Sequence, residues 1–367
     1  MNLFFIVDIL LFIMFIKCNE RNEKLFFGWS CALMFMLTAL HNGSGNVEYG
    51  YDFPEYIKLF MGERSMYGNL DTAEGYELEP VYTYFCRFLR WFGRYEFVYI
   101  LGTSLFFGIP FVYLVNRYSN NKPLSFLLLF TLLNTLVYLM FLSAHRQMLA
   151  NTFFLLCFAV YNSQVKYKKL IILLLALGGL FSHTSSYLVI PLAAIVYFMK
   201  VSSKKRMIGT ILVSLVVGMT YSPLINELFD NLILFLSGFG ELSRVTVYSL
   251  NEIYENAEIS IFWLAPFSVL TILCIHYSTK QELNSICMKS LFVATIVKNL
   301  FSFVPMIDRT VLLFILLGII GGVPVAIKTD RRFKFWMVAL VIVFLAAAYK
   351  TYLSPSFRLT PFHFIFE

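Results

Sequence analysis

The chain is 367 residues long, 59% hydrophobic and only 14% charged, with 40 Phe and a mean hydropathy of +0.73. No soluble fold hides that much apolar surface and keeps a solvated exterior; an ordinary globular chain carries about 25% charged residues. A polytopic all-α membrane protein is the class that remains, while disorder, a collagenous repeat, a disulfide scaffold and a nucleic-acid binder are excluded.

A membrane-spanning helix takes about 20 apolar residues, and every backbone polar group within it must be paired inside the helix. Apolar runs fall near 3–16, 25–40, 96–115, 124–142, 147–162, 169–182, 186–199, 207–222, 259–277, 286–304, 310–327 and 335–351. That predicts about twelve transmembrane helices in a single membrane domain over residues 1–367. The runs 3–16, 169–182 and 186–199 are short, and the pair around His183 reads either as two spans or as a re-entrant or broken element. The first run lacks a basic leader and a small-residue cleavage site, so it reads as retained rather than as a signal peptide.

Charge sets the expected orientation. The loops 17–24, 116–123, 163–168, 200–206, 278–285 and 328–334, with Lys169 and Lys289, hold 18 of the 29 Lys and Arg against four acids. That side is +14, the other is −6, and Asp8 lies inside the first run. The positive side is the cytoplasmic one. With twelve spans both termini then lie outside, and the net charge of +7 reports topology rather than a phosphate-rich partner. The six cysteines, at 18, 31, 86, 157, 274 and 287, are scattered without a CxxC, so neither a disulfide framework nor a zinc site is expected.

Two exterior loops are long, 42–95 and 223–258. Both are acidic, and the first is rich in Tyr, which argues against disorder. Within it, Tyr56–Gly62 and Val81–Trp91 read as amphipathic helices lying at the interface, where Tyr and Trp belong.

Charged groups at membrane depth are costly, and each is a candidate site residue. Arg146 in SAHRQMLA, His183 in FSHTSSYLVIP, Asp308 and Arg309 in FVPMIDRTVL, Lys298, and Arg244 in the second loop all fall on the exterior side. Guanidinium groups give bidentate, charge-assisted bonds to phosphate oxygens, so such a set suits a pyrophosphate held at the head-group level. Each residue has a plainer reading. Arg146 and Lys298 could snorkel, Arg309 could pair with Asp308, and His183 could cap a helix. The carboxylates Asp52, Glu77 and Glu79 could supply a general base or bind sugar hydroxyls, with Asp52 first among them.

The loop sequences YDFPEYIKLF and ELEPVYTYFCRFLRWFG, the Arg of HRQMLA, the FSHTSSYLVIP segment and the Asp-Arg pair before a late helix resemble the EpsG-like group of Wzy-type polysaccharide polymerases. The resemblance runs over most of the chain. It implies a GT-C-like glycosyltransferase of the bacterial inner membrane that works on the periplasmic face and uses undecaprenyl-pyrophosphate-linked oligosaccharides. It also implies a chain-length regulator and a flippase as partners, beside the lipid bilayer itself. Arg146 and Arg309 would grip the donor pyrophosphate, with Arg244 or Lys298 assisting, while His183 would orient or deprotonate the acceptor hydroxyl and Asp52 stand as the alternative base. With no compact carboxylate–His set in the chain, the metal-independent pattern is the one expected, with no cofactor. The rival readings are a flippase or transporter of lipid-linked saccharides, an export-complex scaffold, and an O-antigen ligase-like transferase.

Overall fold

The computed structural model describes residues 3–39, 53–65, 70, 79–131, 144–183, 185–201, 203–220, 261–301, 307–329 and 331–352. Its elements are helices: α1 Leu3–Lys17, α2 Glu23–Ala39, α3 Phe53–Met61, α4 Pro80–Arg90, α5 Glu96–Tyr118, α6 Lys122–Thr131, α7 His145–Tyr161, α8 Lys168–Leu180, α9 Ser186–Phe198 and α10 Lys204–Thr220. There follow α11 Ile261–Tyr277, the single turn α12 Lys280–Leu283, α13 Ile286–Leu300, α14 Ile307–Leu317, a π-helical turn Gly318–Gly322, α15 Val323–Thr329 and α16 Arg331–Tyr352.

A helix lies on each of the twelve apolar runs. Among the described residues three helical stretches, Glu96–Tyr118, Thr310–Ile327 and Arg332–Tyr349, are long and apolar enough to cross a membrane by themselves, and the other apolar helices are shorter. The pair around His183 forms two separate helices, α8 and α9, joined by a short turn. Residues 40–52 and the stretch 223–258, expected to be the second exterior loop, lie outside the described residues.

The stretch Thr310–Ile327 is 83% buried, against 39% for Arg332–Tyr349, so α14, the π turn and α15 form the centre and α16 the rim. The centre is packed by α13, with α6 and α5 against the π turn. A π turn leaves carbonyls off the usual i→i−4 ladder. Here the Ser125 hydroxyl of α6 donates to the Ile319 carbonyl at 2.8 Å.

Polar side chains tie α10, α11 and α13 together. The Ser268 hydroxyl donates to Asn299 Oδ1 (3.0 Å), Asn299 Nδ2 donates to the Ser214 hydroxyl (3.1 Å), and Thr271 and Thr295 share a bond of 2.7 Å. Between apolar helices, where no water competes, such bonds and small residues take over from hydrophobic attraction. Gly218 of α10 supplies the small residue: a Cβ there would fall on the Asn299 carbonyl.

A second, separate apolar cluster builds one end of the molecule. In α3, Phe53, Tyr56, Ile57 and Phe60 recur at helical spacing and bury one stripe; in α4, Tyr82, Cys86 and Leu89 do the same. These stripes close over Tyr99 and Ile100 of α5 and Leu149 of α7. Arg90 holds the two short helices together, because its Nε donates to the Phe60 carbonyl (2.7 Å) and its Nη2 to that of Leu59 (2.9 Å). Those are carbonyls at the C-terminus of α3, which have no partner inside the helix. The stretches Tyr56–Gly62 and Val81–Trp91, expected to be amphipathic helices, are thus largely helical, as α3 and α4, and they lie over the start of α5 and α7.

Candidate functional site

The site is assembled where α4 meets the first turn of α7. Pro80 starts α4 at a position where its missing N–H costs nothing, and Glu79 precedes it as the cap residue. The Glu79 side chain does not cap its own helix. It reaches Arg146, with Oε2 2.9 Å from Nη1, and only 17% of the Arg146 side chain and 11% of that of Glu79 are exposed.

Arg146 stands in the first turn of α7, at the positive end of the helix dipole, where a cation is disfavoured by about 0.3–1 kcal/mol. A carboxylate beside it offsets that cost. Nε of Arg146 also donates to the Tyr56 hydroxyl of α3 at 3.3 Å, and the guanidinium carbon lies 5.9 Å from the centre of the Tyr56 ring. One residue earlier, the buried His145 ring stacks on that same tyrosine: the Tyr56 and His145 rings are 5.5 Å apart and 11° from parallel. Tyr56 thus touches both members of the His-Arg pair.

Behind His145 runs a buried chain of hydrogen bonds. His145 Nδ1 and the Tyr99 hydroxyl are 2.7 Å apart, and the Tyr99 and Tyr82 hydroxyls are 2.7 Å apart. Burial keeps the Tyr82 phenol protonated well above the usual tyrosine range. His145 also lines, with Phe85, Thr103, Phe106 and Thr152, a cavity of about 20 Å³, room for about one water.

The turn carrying His183 comes to the same place. The Val81 N–H, two residues past Glu79, donates to the Phe181 carbonyl at 3.3 Å. His183 Nδ1 accepts from the Ser185 N–H (3.1 Å) and lies 2.7 Å from its hydroxyl. With Nδ1 accepting, the neutral ring carries its proton on Nε2, so this histidine offers a donor.

Of the other predicted residues, Asp308 and Arg309 lie in the first turn of α14, a helix that packs against both α7 and α9. Lys298 lies in the last turn of α13, buried, its Nζ 5.7 Å from the Phe267 ring of α11. Asp52 and Arg244 fall outside the described residues. Arg146 and the His183 turn are therefore brought together around the start of α4, and the helices that begin with Arg146 and Arg309 are neighbours.

Among the described residues the arrangement sets a largely buried guanidinium and its carboxylate partner Glu79 at two helix N-termini, with the turn that carries His183 bonded to the start of α4. Such a set binds anions. Comparison with protein families adds the decisive finding: the model of the EpsG family matches residues 28–364. The chain belongs to the EpsG family. EpsG family members are Wzy-like polymerases, which gives this chain a polysaccharide-polymerase type of function and a place in a membrane. The matched span takes in every helix of the site, from α3 to α14. No curated protein and no solved structure matches the chain.

Sequence reasoning named Arg146 and passed over its neighbour His145, and it ranked Glu79 behind Asp52. Tyr99, which bonds His145, lies 46 residues before it, and Glu79 lies 67 residues before Arg146. The one local signal was Glu79-Pro80 at the head of an amphipathic helix, an acid and a proline in cap positions.

Proposed function

We propose that the protein transfers a growing glycan from undecaprenyl pyrophosphate to the non-reducing end of a lipid-linked repeat unit, at the periplasmic face of the bacterial inner membrane. The reading carries twelve spans, a GT-C-like arrangement and both termini on the periplasmic side. What supports it most is Arg146: a guanidinium kept at a helix N-terminus in spite of the dipole, in a chain of the EpsG family.

In this reading Arg146 and Arg309 hold the donor pyrophosphate, with Lys298 or Arg244 assisting, and stabilise the charge that builds on the leaving group. The neutral His183 acts through its Nε2 proton, orienting a phosphate or acceptor oxygen rather than deprotonating it. A pyrophosphate leaves readily, so a weak carboxylate base suffices, and Asp52 is the first choice for it. The residues at hand need no metal or other cofactor for these roles.

The test is to substitute Arg146, Arg309 and His183 separately by Ala and to compare polymer ladders in cells at matched protein level. Loss of long chains with Arg146→Ala and Arg309→Ala is the expected result. Normal ladders from all three would overturn the assignment. Purified protein with a synthetic undecaprenyl-pyrophosphate repeat unit separates the alternatives: lengthening without an added acceptor excludes a flippase and a ligase.

A further inference from the structure

His145 and Arg146 are neighbours on α7, and successive residues of a helix point about 100° apart, so their side chains leave α7 in different directions. Tyr56 of α3 spans the two. Its ring lies against the His145 ring, while its hydroxyl accepts from Nε of Arg146. The α7 backbone fixes the root of the arginine side chain and leaves several torsions free before its tip. A planar guanidinium met at two different nitrogens has its plane constrained, and here Glu79 meets Nη1 while Tyr56 meets Nε. The placing of the Tyr56 hydroxyl therefore bears on where the guanidinium points.

That placing is supported from behind by His145. The two rings are 5.5 Å apart and 11° from parallel, with Phe53 edge-on to His145 and Tyr82 edge-on to Tyr56. A phenylalanine at 145 would fill much of the same space among these rings. What histidine adds is a bond: its Nδ1 lies 2.7 Å from the Tyr99 hydroxyl, which is itself bonded to Tyr82. Burying a polar ring costs free energy unless it is paired, and a paired group in a dry setting fixes one arrangement of its neighbours. The bond to Tyr99 restrains the imidazole from turning, and the tyrosine stacked on it is restrained with it.

We propose that His145 is a positioning residue of the candidate site: anchored to Tyr99, it holds Tyr56 so that the tyrosine hydroxyl orients the Arg146 guanidinium for an incoming pyrophosphate. The proposal rests on the reading of Arg146 as a ligand of the donor pyrophosphate. His145 acts through Tyr56, without touching the substrate. Side chains that are themselves locked by packing and hydrogen bonds are what keep a binding group in its productive geometry.

The test is a double-variant cycle on the full chain in detergent, at equal amounts of folded protein. The readouts are the dissociation constant for synthetic undecaprenyl pyrophosphate and the melting temperature. His145→Phe keeps a ring in the stack and loses the Tyr99 bond; it is expected to weaken binding about three- to tenfold. His145→Asn sets a polar atom near the place of Nδ1 and loses the ring, and is expected to weaken binding by a similar factor, which keeps the test open should one variant not fold. Tyr56→Phe already lacks the hydroxyl. In that background each His145 substitution should still lower the melting temperature, yet leave the dissociation constant within about twofold of Tyr56→Phe alone. Packing by itself would not make the binding effect depend on the Tyr56 hydroxyl. Undiminished binding by the folded single variants overturns the proposal. So does an equal further loss in the Tyr56→Phe background, which would make His145 act on the ligand directly or on the fold at large. Arg146→Ala is run alongside: if it binds undecaprenyl pyrophosphate undiminished, the reading of Arg146 itself has failed, and that failure is seen separately.

Discussion

The Tyr99 hydroxyl lies 2.7 Å from Nδ1 of His145, both side chains buried, and the same hydroxyl lies 2.7 Å from that of Tyr82. One oxygen therefore joins three helices: α4, α5 and α7. Tyr99→Phe removes the partner shared by two buried polar groups, and the loss expected is about 1–3 kcal/mol for each group left short. Tyr82→Phe removes only the end of the chain and should cost about 1 kcal/mol. Thermal unfolding in detergent checks both, and the double variant should fall well short of the sum, since the two residues share one bond.

Tyr56 is the side chain through which α3 acts on the site. Tyr56→Phe keeps the stack on His145 and loses the 3.3 Å bond to Arg146. Folding should be unchanged, while polymer formation falls roughly three- to tenfold, the effect of one hydrogen bond to a charged group. Ladder length at matched protein level reads the second effect, and an unaltered ladder would leave Tyr56 with a packing role alone.

Two glycines of α10 should respond oppositely to the same change. At Gly218 an added methyl meets the Asn299 carbonyl, so Gly218→Ala forces α10 and α13 apart at a cost of about 1–3 kcal/mol. At Gly209 nothing lies within 4 Å of the new atom, and Gly209→Ala is expected to stabilise the helix by up to about 1 kcal/mol. Equal melting temperatures for the two variants would contradict the close approach at Gly218.

Cys86 reports whether α4 stays in place. Burial pushes its thiol up to about 12, against a small opposing effect from the Tyr82 hydrogen bond and Arg90. A raised thiol pKa means that the reactive thiolate stays scarce as pH rises, until the pH approaches that value. N-ethylmaleimide should therefore leave Cys86 unmodified through roughly pH 9, while the half-buried Cys18 reacts first. Mass spectrometry of the labelled chain gives the order, and early modification of Cys86 would show α4 lifting from the bundle.

The fold was largely legible in the residues because membrane depth imposes one rule on every apolar run: helix, with its backbone paired internally. The two short helices α3 and α4 were legible for a related reason, since Tyr56–Gly62 and Val81–Trp91 carry their apolar residues at helical spacing. Arg146 stood out as a cation on the acidic side. His145 did not, because a histidine beside an arginine has no periodic signature and its meaning comes from Tyr99 and Tyr56 on other helices. Glu79 was one carboxylate among many in an acidic loop; only the distance to Arg146 separates it from solvated decoration.

The π turn at Gly318–Gly322 has a geometric consequence for the opposite end of its helix. A π turn holds one residue more than the α-helical turn it replaces, and each residue of an α-helix advances about 100° around the axis. The first turn of α14, with Asp308 and Arg309, is thereby swung by about a quarter of a circle relative to α15 from where an uninterrupted helix would set it. Deleting one residue within 318–322 would straighten the helix, leave the Ser125 hydroxyl to seek a new acceptor, and rotate the first turn of α14 relative to α7 without altering a single charge. The placement of that helix end is thus encoded some ten residues away from it, in a glycine-rich turn.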